Sequence, residues 1–124
     1  MIDPRAPQAA GREAEEAAAS YFEASGFLVV GRNIRVGNLE VDLVLREGEV
    51  VVIVEVRMRG PGAWVKALAS VDREKQKRLR RAGERLWQRA YKKDATVERM
   101  RFDILAVTFD EGGRPSFEHV RAAF

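Results

Sequence analysis

A chain of 124 residues that is 46% hydrophobic and 33% charged is long enough for one domain with a proper core and too short for two. It has no cysteine, which excludes disulfides and cysteine-based zinc or nucleophile chemistry and fits a reducing, cytoplasmic setting. The net charge of +3 hides an asymmetry, because Arg73 to Lys93 holds ten basic residues against Glu74 and Glu84 while the rest carries twelve basic and seventeen acidic ones, so one element has the footprint of a polyanion-binding surface.

The N-terminus is polar and alanine-rich, with no apolar signal core, and the longest apolar run is far short of a membrane span, so no membrane association is expected. Met1 to Gln8 contains two prolines and is expected to be a frayed end. Ala9 to Ser25 predicts a helix closed by Gly26, with Ala10, Ala14, Ala17, Ala18, Tyr21 and Phe22 on its apolar arc. Glu15 falls at the edge of that arc, away from Glu13, Glu16 and Glu23. It is either a boundary carboxylate that snorkels to water or one aimed at the sheet. Phe27 to Val36 predicts a strand with irregularities at Gly31 and Asn33.

The stretch from Asn38 to Arg59 organises the chain as two strands joined at Glu47-Gly48. Glu40 and Asp42 share one face of the first strand, while Val41, Leu43 and Leu45 share the other. Val50 to Val54 is continuously apolar, as in a strand buried on both faces, and then runs into Glu55-Val56-Arg57. A two-residue loop places Asp42 against Ile53 and Glu40 against Glu55, so that Asp42 and Glu55 are diagonal neighbours on one face. A three-residue loop would put them on opposite faces. Glu55 and Arg57 share a face in either register. Three converging carboxylates repel unless a divalent cation lies between them, and all-oxygen ligation suits magnesium or manganese better than zinc.

Gly60 to Gly62 marks a loop, followed by Trp64, and Val65 to Ala69 is either a helical turn or more loop. Asp72 is a suitable N-cap for a helix reaching about Lys93, with Leu79, Ala82, Leu86 and Ala90 as its stripe and Gly83 and Trp87 alongside. Lys75 stands on that stripe and points toward the sheet, while Lys77, Arg78, Arg81, Arg85 and Arg89 occupy other faces. Basic residues on a helix can simply solvate it and pair with acids, but too few acids accompany these, so a phosphate-facing role stands beside that reading. Arg101 to Phe109 predicts another strand, and Phe117 to Phe124 closes the chain as a strand or short helix. His119, the only histidine, is a poor zinc candidate and is assigned a structural role. The order α-β-β-β-α-β describes an α/β domain around one mixed sheet.

From Gly11 to Phe124 the sequence resembles the YraN-like family, predicted endonucleases related to archaeal Holliday-junction resolvases and the PD-(D/E)xK nuclease superfamily. The marks are Gly11 with Glu15 and Ala18, Gly26, Asn33-Ile34-Arg35, Glu40-Val41-Asp42-Leu43, Glu55-Val56-Arg57 and Arg59. Val71-Asp72 with Lys75, Arg101-Phe102-Asp103, His119 and Ala123-Phe124 continue the series. The resemblance implies a restriction-endonuclease-like fold, with Asp42, Glu55 and the Val56 carbonyl holding Mg2+ (or Mn2+) and Glu15 completing the acidic cluster. It further implies DNA, including branched DNA, as partner and a homodimer. A lysine two residues after the second acid would orient the attacking water, yet Arg57 stands there and cannot act as a base. Leu39 replaces the glycine usual before the first acid.

Three functions compete on this reading: a metal-dependent endonuclease with Arg57 among its catalytic residues, a nucleic-acid-binding module with weakened or lost catalysis, and a protein-interaction domain. The last predicts Glu55 paired with Arg57 or Arg59 and no metal affinity.

Overall fold

The computed structural model of the chain describes residues 8–9, 11–58 and 69–124. The expectations for Met1 to Pro7, for Gly60 to Trp64 and for most of Val65 to Ala69 lie outside these residues.

Gly11 caps the first helix, α1 (Arg12–Ala24), and Gly26 follows its end at φ 92, a backbone conformation that suits glycine. This helix starts later than the alanine-rich sequence suggests because Gln8–Ala9 form a short strand, β1, against Met58 and Arg57. The next strand, β2 (Leu28–Val36), carries both expected irregularities: its register shifts between Val29 and Gly31, and Asn33 has φ 49. The central pair is β3 (Leu39–Glu47) and β4 (Val50–Met58).

The hairpin turns at Gly48-Glu49, with Glu47 facing Val50 and Gly48 at φ 59. A glycine with positive φ at the first loop position is what a tight two-residue hairpin requires. The loop therefore has the expected length but lies one residue later than Glu47-Gly48. Parity is unchanged, so Asp42 and Glu55 still share a face, while each β3 residue meets a β4 residue two positions further along than expected. The last paired residues are Leu43 and Val54.

The second helix, α2 (Arg73–Leu86), is capped by Asp72, whose carboxylate accepts from the Lys75 amide at 2.9 Å. It continues into a π-helical turn over Trp87–Tyr91, closed by the Lys92 amide donating to the Trp87 carbonyl at 2.7 Å. The wider turn rotates the following residues. Ala90, expected on the apolar stripe, is exposed, and Tyr91 packs against the core instead. The chain ends in β5 (Arg99–Phe109) and β6 (Pro115–Val120), the strand form of the two alternatives for the C-terminus.

Among the described residues the strands form one mixed sheet in the order β2-β3-β4-β5-β6, with β4 and β5 parallel and β1 alongside β4. This is the mixed sheet flanked by helices that the restriction-endonuclease-like expectation requires. Helix α1 covers one face, where Ala14, Ala18 and Phe22 meet Leu43, Leu45, Val52, Val54 and Leu105. Helix α2 covers the other, where Ala82 and Leu86 meet Val44, Val51 and Ile53. Strand β4 is apolar on both sides because both helices lie over it. A Cβ on Gly83 would come within 2.7 Å of Phe102 and 2.9 Å of Met100, so the absent side chain sets how closely α2 approaches β5.

Candidate active site

Strands β3 and β4 part beyond the Leu43–Val54 pair, and β1 takes up the edge of β4 at Arg57 and Met58. Asp42 and Glu55 stand at that parting, one position past the last paired residues. The Val56 amide, released from the ladder, donates to Asp42 Oδ2 at 2.9 Å. A residue's N–H and C=O point to the same edge of a strand, so the Val56 carbonyl faces this gap as well.

The two acids are in contact. Burial, a hydrogen bond with Glu55 and the Glu55 charge raise the Asp42 pKa from 3.8 to about 7, against smaller opposing effects of the Val56 amide and Lys75. Near neutrality Asp42 carries its proton about half the time and can donate it to Glu55. Glu55 is only 4% exposed, and its Oε2 is held by Arg57 Nη2 at 2.9 Å and by Lys75 Nζ at 3.4 Å. Arg57 is 9% exposed, and its buried Nε has no hydrogen-bond partner among the described residues. The Lys75 side chain is 31% exposed and is the cation of the site that reaches solvent. Its place follows from the Asp72 cap, which fixes the first turn of α2 over Glu55.

These residues fit a hard divalent cation. Two carboxylates close enough to share a proton, beside a backbone carbonyl on the same edge, form an all-oxygen donor set suited to Mg2+ or Mn2+. The set is smaller than expected, since among the described residues no group of three or more His, Cys, Asp or Glu side chains is gathered for a metal. Glu15 lies half-buried on α1, and α1 packs against the sheet face opposite the one carrying Asp42 and Glu55. Glu40 is exposed and pairs with Arg35 of β2 at 3.8 Å rather than facing Glu55. It belongs to the part of β3 beyond its pairing with β4.

Of the basic residues assigned to a phosphate-facing surface, Lys75 turns into the acidic site. Lys77, Arg78, Arg81 and Arg85 are exposed, with Lys77 reaching Glu74 at 3.9 Å. Arg81, Arg85 and Arg89 line an open groove of ≈ 580 Å³ together with Glu84 and Gln88. The positive surface is therefore continuous with the helix whose first turn supplies Lys75.

Sequence reasoning missed a second charged cluster on the α1 face. Asp103 is fully buried, accepts from Arg101 Nε at 2.8 Å, Arg101 Nη2 at 3.0 Å and the Ala122 amide at 2.9 Å, and contacts His119 Nε2 at 2.7 Å. Glu47 extends it, accepting from Arg101 at 3.1 Å and Arg121 at 3.0 Å. The available signal was Arg101 and Asp103 two apart in an apolar strand, hence on one buried face. His119 has the structural role expected of it, wedged edge-on against Phe22 at 5.0 Å.

The fold and the parted strands define an α/β domain with an acidic pair at the centre of its sheet. Uncharacterised protein family UPF0102 matches residues 14–107, and the chain belongs to that family, the YraN-like family expected from its motifs. It is 49% identical over 119 residues to a UPF0102 protein of Sorangium cellulosum, covering 96% of this chain and 83% of the relative. It is 43% identical to one of Anaeromyxobacter dehalogenans, covering 94% and 84%. A UPF0102 protein of Pseudomonas aeruginosa is 35% identical, covering 93% and 90%. Among the described residues no helix is long and apolar enough to cross a membrane.

Proposed function

We propose that this protein is a metal-dependent DNA endonuclease whose site is Asp42, Glu55 and the Val56 carbonyl, served by Lys75 and Arg57. The observation that carries the reading is the contact between Asp42 and Glu55, with the Val56 amide on Asp42 at 2.9 Å, at the parting of β3 and β4. Mg2+ or Mn2+ held by Asp42, Glu55 and the Val56 carbonyl would supply charge neutralisation at a phosphate and lower the pKa of an attacking water. Phosphodiester hydrolysis joins the water oxygen to phosphorus and breaks one ester bond, and the proton shed by the water ends on the leaving sugar oxygen. Lys75 brings an ammonium to the solvent side of Glu55 and offsets charge developing on the phosphate oxygens. Arg57 holds Glu55 in place and keeps one donor of its fork unused. Lys77, Arg78, Arg81 and Arg85 grip the backbone, which gives salt-sensitive binding without base readout. Symmetric cutting of a four-way junction would take two copies of the chain.

A second reading has its own support. Arg57 cannot give up its proton and is already locked onto Glu55 at 2.9 Å, which favours a binding module with lost turnover. That ion pair is also the one a protein-interaction domain predicts, so metal affinity separates that reading from the other two.

The test is a cleavage assay with Mg2+ and with Mn2+ on linear, flapped and four-way-junction DNA. Metal-dependent cutting that vanishes in Asp42→Asn supports the nuclease. Binding without cutting, with cutting restored in Arg57→Lys, moves the assignment to the binding module. Neither binding nor cutting by any form overturns both.

A further inference from the structure

Beside the basic groove lies a pocket of a different character, with a volume of ≈ 350 Å³, between α2, its π-helical turn and the start of β5. Trp87, Met100 and Phe102 form its apolar walls. Arg80 and Arg99 stand at its rim, with Glu84 and Glu98. Gly83 lets α2 pack closely on Phe102 and Met100, and the pocket lies next to that contact, where the π-helical turn begins at Trp87. Turns of this kind recur at functional sites.

Its size is near the lower end of the roughly 300–1,000 Å³ typical of ligand pockets, which suits one flat ring system. The setting indicates what kind. Glu84 is a wall of both this pocket and the groove lined by Arg81, Arg85 and Arg89. A chain whose backbone follows the cationic groove thus passes directly beside an apolar slot with an indole in it. A positive groove paired with an aromatic stacking surface is how single-stranded nucleic acids are held. The rim has matching chemistry: arginines for phosphate oxygens, and carboxylates for the amino groups on a base edge.

We propose that this pocket receives one unpaired nucleobase, stacked on Trp87, from a strand running along the groove. The inference rests on the nuclease reading for its place in the reaction and narrows the substrate to DNA with an unpaired stretch. Lys75 and Trp87 are twelve residues apart on one continuous helical rod, which at about 1.5 Å per residue is about 18 Å.

The experiment measures binding by fluorescence anisotropy in EDTA, so that it does not depend on cleavage. The probes are a mixed-sequence single strand of about twelve nucleotides, an abasic strand of the same length, and a duplex. Trp87→Leu keeps apolar bulk and removes stacking, Trp87→Phe restores an aromatic ring, and thermal melting verifies that each variant is folded. Trp87→Leu is expected to weaken binding of the base-bearing strand roughly tenfold, leaving the abasic strand and the duplex unchanged, with recovery in Trp87→Phe. Equal losses on base-bearing and abasic strands, or no loss on either, overturn the nucleobase pocket while leaving salt-sensitive binding and the nuclease reading intact. No binding to any probe overturns both and leaves the slot for an aromatic side chain of a protein partner. If Trp87→Leu does not fold, Trp87→Met, which also lacks a ring, replaces it, with the same selective loss expected and the same outcomes decisive.

Discussion

Asp42 takes the Val56 amide on one oxygen at 2.9 Å and shares a hydrogen bond with Glu55, so two carboxyl groups meet where a β-ladder would continue. The strands cannot stay paired there while holding both acids, and the contact stores a repulsion that a proton relieves. The folded pKa of Asp42, about 7, lies above its unfolded value of 3.8, so between these values the folded state binds the extra proton. Stability from this group is full below about pH 4 and is lost as pH rises through about 7. In metal-free buffer, Asp42→Asn, whose amide needs no proton, should melt higher than wild type at pH 8 by a few degrees, on the order of 1–2 kcal/mol. The difference should shrink toward pH 5. A pH-independent difference between the two melting curves contradicts the shared proton.

The same contact predicts how metal affinity depends on acidity. A divalent ion must displace the shared proton, so Mn2+ affinity should climb up to about tenfold per pH unit below pH 7 and level off above it. Isothermal titration in two buffers of different ionisation enthalpy reads the released proton directly. Glu55→Gln and Asp42→Asn should each abolish the binding isotherm. At a Mn2+ concentration about 100 times the Kd, wild type should gain about 2.7 kcal/mol of stability and neither variant any. An unchanged isotherm in both variants places the metal elsewhere.

Much of this site was legible because strand periodicity is strict. Alternation along Glu40 to Leu45 put Asp42 and Glu55 on one face only for a two-residue loop, and the observed register, with Glu47 facing Val50, is that case. The starting residue of the loop was not legible, since Glu47, Gly48 and Glu49 offer the same turn chemistry in two settings and only packing chooses. Lys75 was visible from its helical stripe, and its partner Glu55 was not. Glu15 was joined to the cluster by the family resemblance alone, because periodicity gives the side of a helix and not the face of the sheet on which the helix lands; α1 lies on the face opposite Asp42 and Glu55. Ala90 failed for a related reason: a π-helical turn breaks the period on which the stripe was read. Asp103 stood among the family marks, but its cluster was not read because its partners His119 and Ala122 are remote in sequence.

Lys75 and Arg57 both touch Glu55, yet their removal should have different consequences. Arg57 is buried, so Arg57→Ala leaves a buried carboxylate with less compensation and should lower stability by about 3 kcal/mol. Lys75 is one-third exposed and should cost less than about 1 kcal/mol as Lys75→Met. On cleavage the order reverses. Lys75→Met should lower turnover roughly 100-fold with DNA affinity little changed, since it removes a charge needed while the phosphate reacts. Parallel melting curves, binding isotherms and single-turnover rates check the split, and a Lys75→Met protein that cuts at the wild-type rate excludes Lys75 from the reaction.

Asp103 is the carboxylate on which the opposite face depends. Burial alone would raise its pKa, but the bonds from His119, Arg101 and the Ala122 amide outweigh it and hold the group below the usual carboxylate range. A folded pKa below the unfolded one gives stability that is present above about pH 4 and lost as pH falls through the folded value. Asp103→Asn removes the charge while leaving Arg101 buried, and should cost about 3–5 kcal/mol and flatten the acid limb of the stability curve. Replacing Arg101 as well, in Arg101→Met with Asp103→Leu, takes away both charges at once and should cost less than the sum of the single changes. Because this cluster faces α1 and the acidic pair faces α2, metal binding by the folded double variant should match wild type. Chemical denaturation gives the energies and titration with Mn2+ gives the affinity. A double variant that is stable yet no longer binds Mn2+ would mean that the two faces are coupled through β4 and β5.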